Sequence, residues 1–172
     1  MFDRAVVNTA IRYGVTGGVV GVVYVVSLAL LGLENPYANV AEVSSIVFFI
    51  PVFIILATKY YKKYYGAEIG FAKAFKVGLA TTFFLAFTTA VLLCIFSLLA
   101  GEEMIQQYII LEQENMRLHQ KELIQMMGEP NYKFAFEKLK ELNATTLAQR
   151  TFMFRMLAGF LTSIVSSVFF RK

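Results

Sequence analysis

The chain has 172 residues, enough for one domain, and its hydrophobic fraction of 58% with a mean hydropathy of +0.61 exceeds that of ordinary soluble domains. Its formal charge of +4 does not indicate nucleic-acid binding, because the basic residues lie at the ends of apolar stretches and form no continuous basic surface. The composition predicts a single integral membrane domain over residues 1–172, with the lipid bilayer as its main surroundings.

Four apolar stretches predict four transmembrane helices. Charged residues and histidine are absent from residues 13–33, 43–58, 77–101 and 156–170. About 20 apolar helical residues cross a bilayer core, and flanking residues that reach the interface extend shorter runs. We place the spans approximately at residues 11–33, 41–58, 76–100 and 151–170. The predicted fold class is therefore an all-α integral membrane protein.

Small residues recur at helical spacing on three of the four spans. The predicted helix-packing positions are Gly14, Gly17, Gly18, Gly21, Gly78, Ala86, Gly159 and Ser163. Helices in lipid associate through close backbone approach, so small-residue faces predict tight crossings. We expect these faces to pack inside one four-helix bundle. The alternative is homodimerisation through the two overlapping GxxxG motifs of the first span.

The charges between the spans predict which end of the bundle is cytoplasmic. The loop between spans two and three and the start of span three carry Lys59, Lys62, Lys63, Lys73 and Lys76. The loop between spans one and two carries only acids, and arginines precede the first span and follow the last. The positive-inside rule therefore predicts cytoplasmic N- and C-termini. The lysines and the tyrosines between them are expected at the lipid interface, with specific anionic-lipid binding as the alternative.

Residues 102–150 form the one sizeable polar region and predict a helical hairpin outside the cytoplasm, between helices three and four. Residues 102–127 have no glycine or proline and favour a helix, which Gly128 and Pro130 then end. Asn131 is predicted to cap a second helix.

Arg12, Glu42 and Lys76 lie within the first two residues of their predicted spans, whereas Arg155 intrudes further into its span, which makes it the candidate functional charge. We expect its long stem to carry the guanidinium to the lipid headgroups. The alternative is an interior position, paired with Glu34, Glu42 or Glu102.

Hydrolytic and nucleotide-binding motifs are absent from the sequence, and no acidic residue lies within an apolar stretch. His119 and Cys94 are the single residues of their kinds, so we expect no metal site and no cofactor. The predicted protein is not an enzyme but a structural or interaction protein, acting as an accessory subunit or a homo-oligomer. The alternative is a small transporter or channel, indicated by Pro51, Arg155 and hydroxyl-bearing stripes. Those hydroxyls belong to Thr81, Thr82, Thr88, Thr89, Ser163, Ser166 and Ser167.

Two segments carry a resemblance to a known family. The first is the glycine-rich stretch from Tyr13 to Gly18, and the second is the stretch from Gly70 to Gly78 that enters span three. With the long insert before span four and the basic C-terminus, they resemble DUF4199, a bacterial inner-membrane family. The resemblance implies a four-helix protein of the Bacteroidota type, without an assigned activity and without functional residues to transfer.

Overall fold

The computed structural model describes residues 3–66, 68–100 and 102–171, and all regular secondary structure in those ranges is helical. The α-helices follow in chain order as α1 (Arg4–Leu30), α2 (Asn39–Tyr65), α3 (Phe71–Ala100), α4 (Glu103–Leu118), α5 (Gln120–Met127), α6 (Glu129–Lys138) and α7 (Ala144–Phe170). A short 3-10 turn, Leu139–Glu141, connects α6 to the loop before α7.

The helices α1, α2, α3 and α7 are each long and apolar enough to cross a membrane, which confirms the all-α four-span prediction. The helices do not begin at the same residues as the predicted spans. Helix α1 begins at Arg4 and α7 at Ala144, each seven residues before the corresponding predicted span. Hydropathy identifies the lipid-facing part of a helix, whereas capping and packing determine where the helix begins.

Helix α3 is the centre of the bundle, since it packs against α1, α2 and α7. Helix α2 also contacts α1 and α7, so these two outer helices lie on either side of the α2–α3 pair. Buried apolar side chains fill the bundle at three levels. Val6, Tyr61 and Val77 are at the end near the lysines, Ile50, Ile54 and Leu85 are in the middle, and Tyr37, Tyr108 and Leu147 are near the insert.

Local sequence explains the ends of the long helices. Helix α1 ends in a Schellman arrangement in which Gly32 takes φ +67° and the Leu33 amide donates to the Leu28 carbonyl at 3.0 Å. Helix α7 begins with a capping box, where the Thr146 amide donates to Asn143 Oδ1 at 3.0 Å and the Asn143 amide donates to Thr146 Oγ1 at 2.9 Å. Helix α2 continues through Pro51.

The insert is a helical hairpin, but two of its predicted details are wrong. The predicted helix over residues 102–127 is divided at His119, whose backbone leaves helical geometry at φ −102° and ψ 19°. Asn131 does not cap α6, which begins at Glu129 after Gly128 at φ +82°. Its side-chain amide instead donates to the Met127 carbonyl at 2.8 Å and closes the end of α5.

Candidate functional site at a buried arginine

Glycines allow α1 and α7 to approach α3 closely. A Cβ atom added at Gly14 would lie 2.6 Å from the Thr81 carbonyl oxygen, and one at Gly18 would lie 2.7 Å from Thr88 Cβ. On α7, a Cβ at Gly159 would overlap the Thr82 side chain. These positions therefore have room for glycine and for no larger residue without a shift of the neighbouring helix.

The other predicted packing positions lie in the same contacts. A Cβ at Gly17 would lie 2.7 Å from the Phe53 ring, and a Cβ at Gly78 would lie 2.8 Å from Ser163 Oγ. Ser163 and Ala86 are each 0% exposed. Gly21 differs, because the nearest atom to an added Cβ would be Ser45 Oγ at 3.5 Å. The glycine-rich face of α1 is thus covered by α2 and α3 within one chain.

Arg155 lies inside the bundle, with 1% of its surface exposed. It shares one face of α7 with Gly159 and Ser163, at i, i+4 and i+8, and that face packs against α3. The predicted snorkelling to headgroups is therefore wrong: the helix face on which Arg155 lies is the one turned toward the core. At about 1.5 Å per residue, Arg155 lies roughly 16 Å along α7 from Ala144.

The guanidinium of Arg155 is only partly satisfied by hydrogen bonds. One terminal nitrogen donates to Ser45 Oγ on α2 at 3.1 Å. The Nε and the other terminal nitrogen are buried and have no hydrogen-bond partner among the described residues. Two charged N–H groups therefore face the interior without a direct acceptor, which is costly in a low-dielectric medium.

Glu42 is the acid that compensates this charge. It lies in the first turn of α2, one turn before Ser45, and is 8% exposed. Its Oε1 is also buried without a partner in the described part of the chain, and its charge acts electrostatically on Arg155. The two groups form no direct ion pair within the described residues. Of the three acids proposed from the sequence, the fold brings Glu42 to Arg155.

Most buried hydroxyls of the predicted stripes bond to the backbone of their own helix. Thr81 donates to the Val77 carbonyl at 2.7 Å, Ser163 to Gly159 at 2.6 Å and Ser167 to Ser163 at 2.5 Å. Each bond runs to the residue four positions earlier, the usual arrangement for Ser and Thr in membrane helices. Thr82 and Ser166 are exceptions, because their buried hydroxyl oxygens have no partner among the described residues.

Tyrosines close the bundle over Arg155 at the end near the insert, a feature that the sequence reasoning missed. The Tyr37 hydroxyl bonds to Ser97 Oγ and lies 3.4 Å from the Leu93 carbonyl oxygen. Burial, with a smaller contribution from Cys94, raises the pKa of Tyr37 to about 12, so the phenol stays neutral. Its position directly after Pro36, in a short loop between two spans, was the available signal.

A second tyrosine, Tyr108, joins helix α4 of the insert to α7 and, through Arg150, to α2. Arg150 donates to the Tyr108 hydroxyl, and its other terminal nitrogen donates to Asn39 Oδ1 at 3.2 Å. Burial raises the pKa of Tyr108, although the neighbouring Arg150 opposes the shift. Helix α4 is thereby fixed to both α2 and α7.

The opposite end, which we call the lysine end, carries basic and aromatic side chains together. The Arg12 guanidinium donates to the Tyr60 hydroxyl at 3.2 Å and lies 5.0 Å from the centre of that ring. Lys63 and Lys73 lie 5.3 Å and 5.8 Å from the ring centres of Tyr64 and Tyr61. Lys59 and Lys76 are exposed at the same end and Lys62 is half-buried.

His119 is exposed at the junction of α4 and α5, where its Nδ1 lies 3.0 Å from the Asn115 carbonyl oxygen. In residues 3–66, 68–100 and 102–171, no three His, Cys, Asp or Glu side chains come together in a way that would hold a metal ion.

Comparison with known proteins identifies the family. Residues 12–172 match the family described as "Protein of unknown function (DUF4199)". Neither a curated protein nor a solved structure matches the chain. The match covers α1 from residue 12 onward, the other three long helices, the insert and the buried Arg155, and the chain therefore belongs to the DUF4199 family.

Proposed function

We propose that this protein is a non-enzymatic component of the bacterial inner membrane that works by associating with another membrane protein or with a second copy of itself. The observation that carries the proposal is the sealed polar centre. Arg155 is 1% exposed, and the hydroxyls of Thr81, Ser163 and Ser167 are bonded within their own helices. A path for a polar solute needs such groups turned toward water.

The insert supports association as the protein's function. Its helices carry charged side chains yet also expose large apolar ones, with Leu118 73% exposed, Met126 83% and Phe134 63%. Contiguous exposed apolar groups mark protein contacts, and these three side chains are the candidates for such a contact on the insert. The side chains that face lipid on α1 and α2 need no such explanation, because the bilayer covers them.

Photocrosslinking in native membranes tests this proposal. A photoreactive phenylalanine analogue replaces Phe134 in one variant and Met126 in another, and Glu114, exposed on α4, serves as the polar control position. We expect adducts of discrete mass from positions 134 and 126 and none from position 114. Adducts that are absent at all three positions, with the variants folded and present in the membrane, would contradict the proposal.

One observation favours the second candidate, a small transporter or channel. Two N–H groups of Arg155 and one oxygen of Glu42 lack hydrogen-bond partners among the described residues, so the centre has unused capacity to bind a polar solute. This candidate is tested by reconstituting the wild type and Arg155→Gln in salt-loaded liposomes and measuring the leakage of ions from each. A transporter would show leakage that is lost in Arg155→Gln, whereas equal, background leakage of both proteins argues against it.

A further inference from the structure

Two cavities that share Thr145, one apolar and one of mixed polar and apolar surface, lie along the contact of α3 with α7, on the half of the bundle near the insert. The first is an open groove of 660 Å³ whose walls include Phe83, Phe87, Val91, Phe152 and Met153. Its surface is almost entirely apolar. This volume falls within the range of about 300–1,000 Å³ that ligand sites occupy.

The second cavity continues the groove toward the insert. It has a volume of 350 Å³, and Thr145 lines both cavities. Its polar side chains come from Ser97, Glu102, Gln106 and Asn143. Cys94 lines the groove one helical turn before Ser97, close to where the two cavities meet. The two cavities together form one amphipathic groove, apolar along α3 and α7 and more polar toward the insert.

The charges around the polar cavity indicate its occupant. Glu102 is the one charged residue among the described residues that line it, so the cavity favours a cation. The first residues of α7, Ala144 and Thr145, lie in the same wall, and the positive end of that helix favours a phosphate beside the cation. A zwitterionic group with phosphate and ammonium matches both.

We propose that these two cavities bind a phospholipid with an ethanolamine-type headgroup. One acyl chain of the lipid would lie in the α3–α7 groove, and the ammonium of the headgroup would lie beside Glu102. Bulk lipid covers every outward face of the bundle. Glu34 lines another polar cavity among the described residues, but that cavity shares no lining residue with the α3–α7 groove. The lipid would join α3, α7 and the start of α4. This inference is independent of whether the insert binds a protein.

The lipid that stays bound to the extracted protein tests the proposal directly. The full chain is assembled in nanodiscs containing equal amounts of phosphatidylethanolamine and phosphatidylglycerol, extracted in mild detergent and examined by native mass spectrometry. We expect the wild type to keep phosphatidylethanolamine preferentially. Glu102→Gln should lower that preference about two- to fivefold, the effect of one exposed charge contact. Glu103→Gln is the matched control, since the neighbouring acid does not line the cavity.

A second pair of variants tests the groove. Val91→Trp places a larger side chain in the groove, whereas Val23→Trp makes the same change on a 60% exposed position of α1. We expect the first to abolish retention of the bound lipid and the second to leave it unchanged. In the wild type, added phosphatidylethanolamine should slow maleimide labelling of Cys94, which needs no variant.

Three results on lipid binding would overturn the proposal. They are retention without headgroup preference, equal effects of Glu102→Gln and Glu103→Gln, and Cys94 labelling that phosphatidylethanolamine and phosphatidylglycerol slow equally. A dimer that Val91→Trp separates, with no change in retained lipid, would assign the groove to a second copy of the chain and likewise overturn the lipid proposal.

Discussion

At the scale of single residues, Arg155 carries the largest electrostatic cost in the bundle. A charged side chain at the centre of a membrane helix costs about 2.5–3.5 kcal/mol on insertion scales. The Ser45 hydroxyl and the field of Glu42 offset part of that cost. Two buried N–H groups of Arg155 and one Glu42 oxygen have no hydrogen-bond partner in the described part of the chain, so the two charges depend on each other for compensation.

A double-mutant cycle tests this dependence. We expect Arg155→Met and Glu42→Gln each to lower the free energy of unfolding by about 1–3 kcal/mol, because each leaves the other group uncompensated. The double variant should lose less than the sum of the two by about 0.5–3 kcal/mol. Unfolding in mixed micelles with increasing SDS measures these values. Lys121→Met, a change of one exposed cation on α5, should stay within about 0.5 kcal/mol of the wild type.

Additive losses for Arg155→Met and Glu42→Gln would show that the two charges do not interact.

The sequence identified Arg155 and included Glu42 among three acids, but it did not predict the direction of the arginine side chain. That direction depends on the contact of α7 with α2, and the Ser45 partner lies 110 positions away along the chain. The spacing of residues along one helix shows which of them share a face, but it does not determine which other helix packs on that face.

Among the helices, α3 and α7 can approach as closely as they do because Gly159 has no side chain. A methyl group there would overlap the Thr82 side chain and lie 2.8 Å from Thr82 Cβ, an atom that rotation about χ1 does not move. Gly21 on α1 is also buried, but an added Cβ would have an ordinary 3.5 Å contact with Ser45 Oγ. We therefore expect a glycine-to-alanine substitution to change the free energy of unfolding differently at Gly159 and at Gly21.

We expect Gly159→Ala to lower the free energy of unfolding by about 1–3 kcal/mol through overpacking. Gly21→Ala should be neutral or raise it by up to about 1 kcal/mol, because alanine favours helix more than glycine does. Thr82→Ala should recover part of the loss in Gly159→Ala by removing the overlapping atoms. The same micellar unfolding measurement serves all variants. Equal effects of Gly159→Ala and Gly21→Ala would refute the proposed contact.

The sequence predicted the long helices well because uninterrupted hydropathy is a strong local signal. The small-residue stripes indicated tight crossings, but not that Gly14 and Gly18 meet α3 rather than a second copy. The break at His119 had no signal in composition, since residues 103–127 contain neither glycine nor proline. Such a break follows from tertiary contacts, including the Tyr132 hydroxyl that donates to the Met116 carbonyl at 3.2 Å.

At the scale of the whole molecule, the two ends of the bundle differ in chemistry. The lysine end exposes Lys59, Lys63 and Lys76, whereas the opposite end carries the insert. The positive-inside rule therefore predicts that the lysine end, with both termini, faces the cytoplasm.

Labelling of single cysteines in intact cells tests this orientation, with Cys94 replaced by alanine. A cysteine at Glu114 should react with a membrane-impermeant maleimide, and one at Lys63 should react only after the cells are permeabilised. Both positions are exposed, so a difference between them reports the side of the membrane. The reverse pattern would invert the predicted topology.

We infer that the bundle is closed to water around Arg155, and the accessibility of single cysteines along α7 tests this closure. Single cysteines are placed at Thr151 and Ser163, which are 4% and 0% exposed, and at the exposed Glu102 as a positive control, again with Cys94→Ala. A small water-soluble maleimide is applied to native membranes. The closed bundle predicts labelling at position 102 and none at positions 151 and 163. Labelling that continues through position 151 to position 163 would show that water enters past Arg155, contradict the claim and favour a transport function.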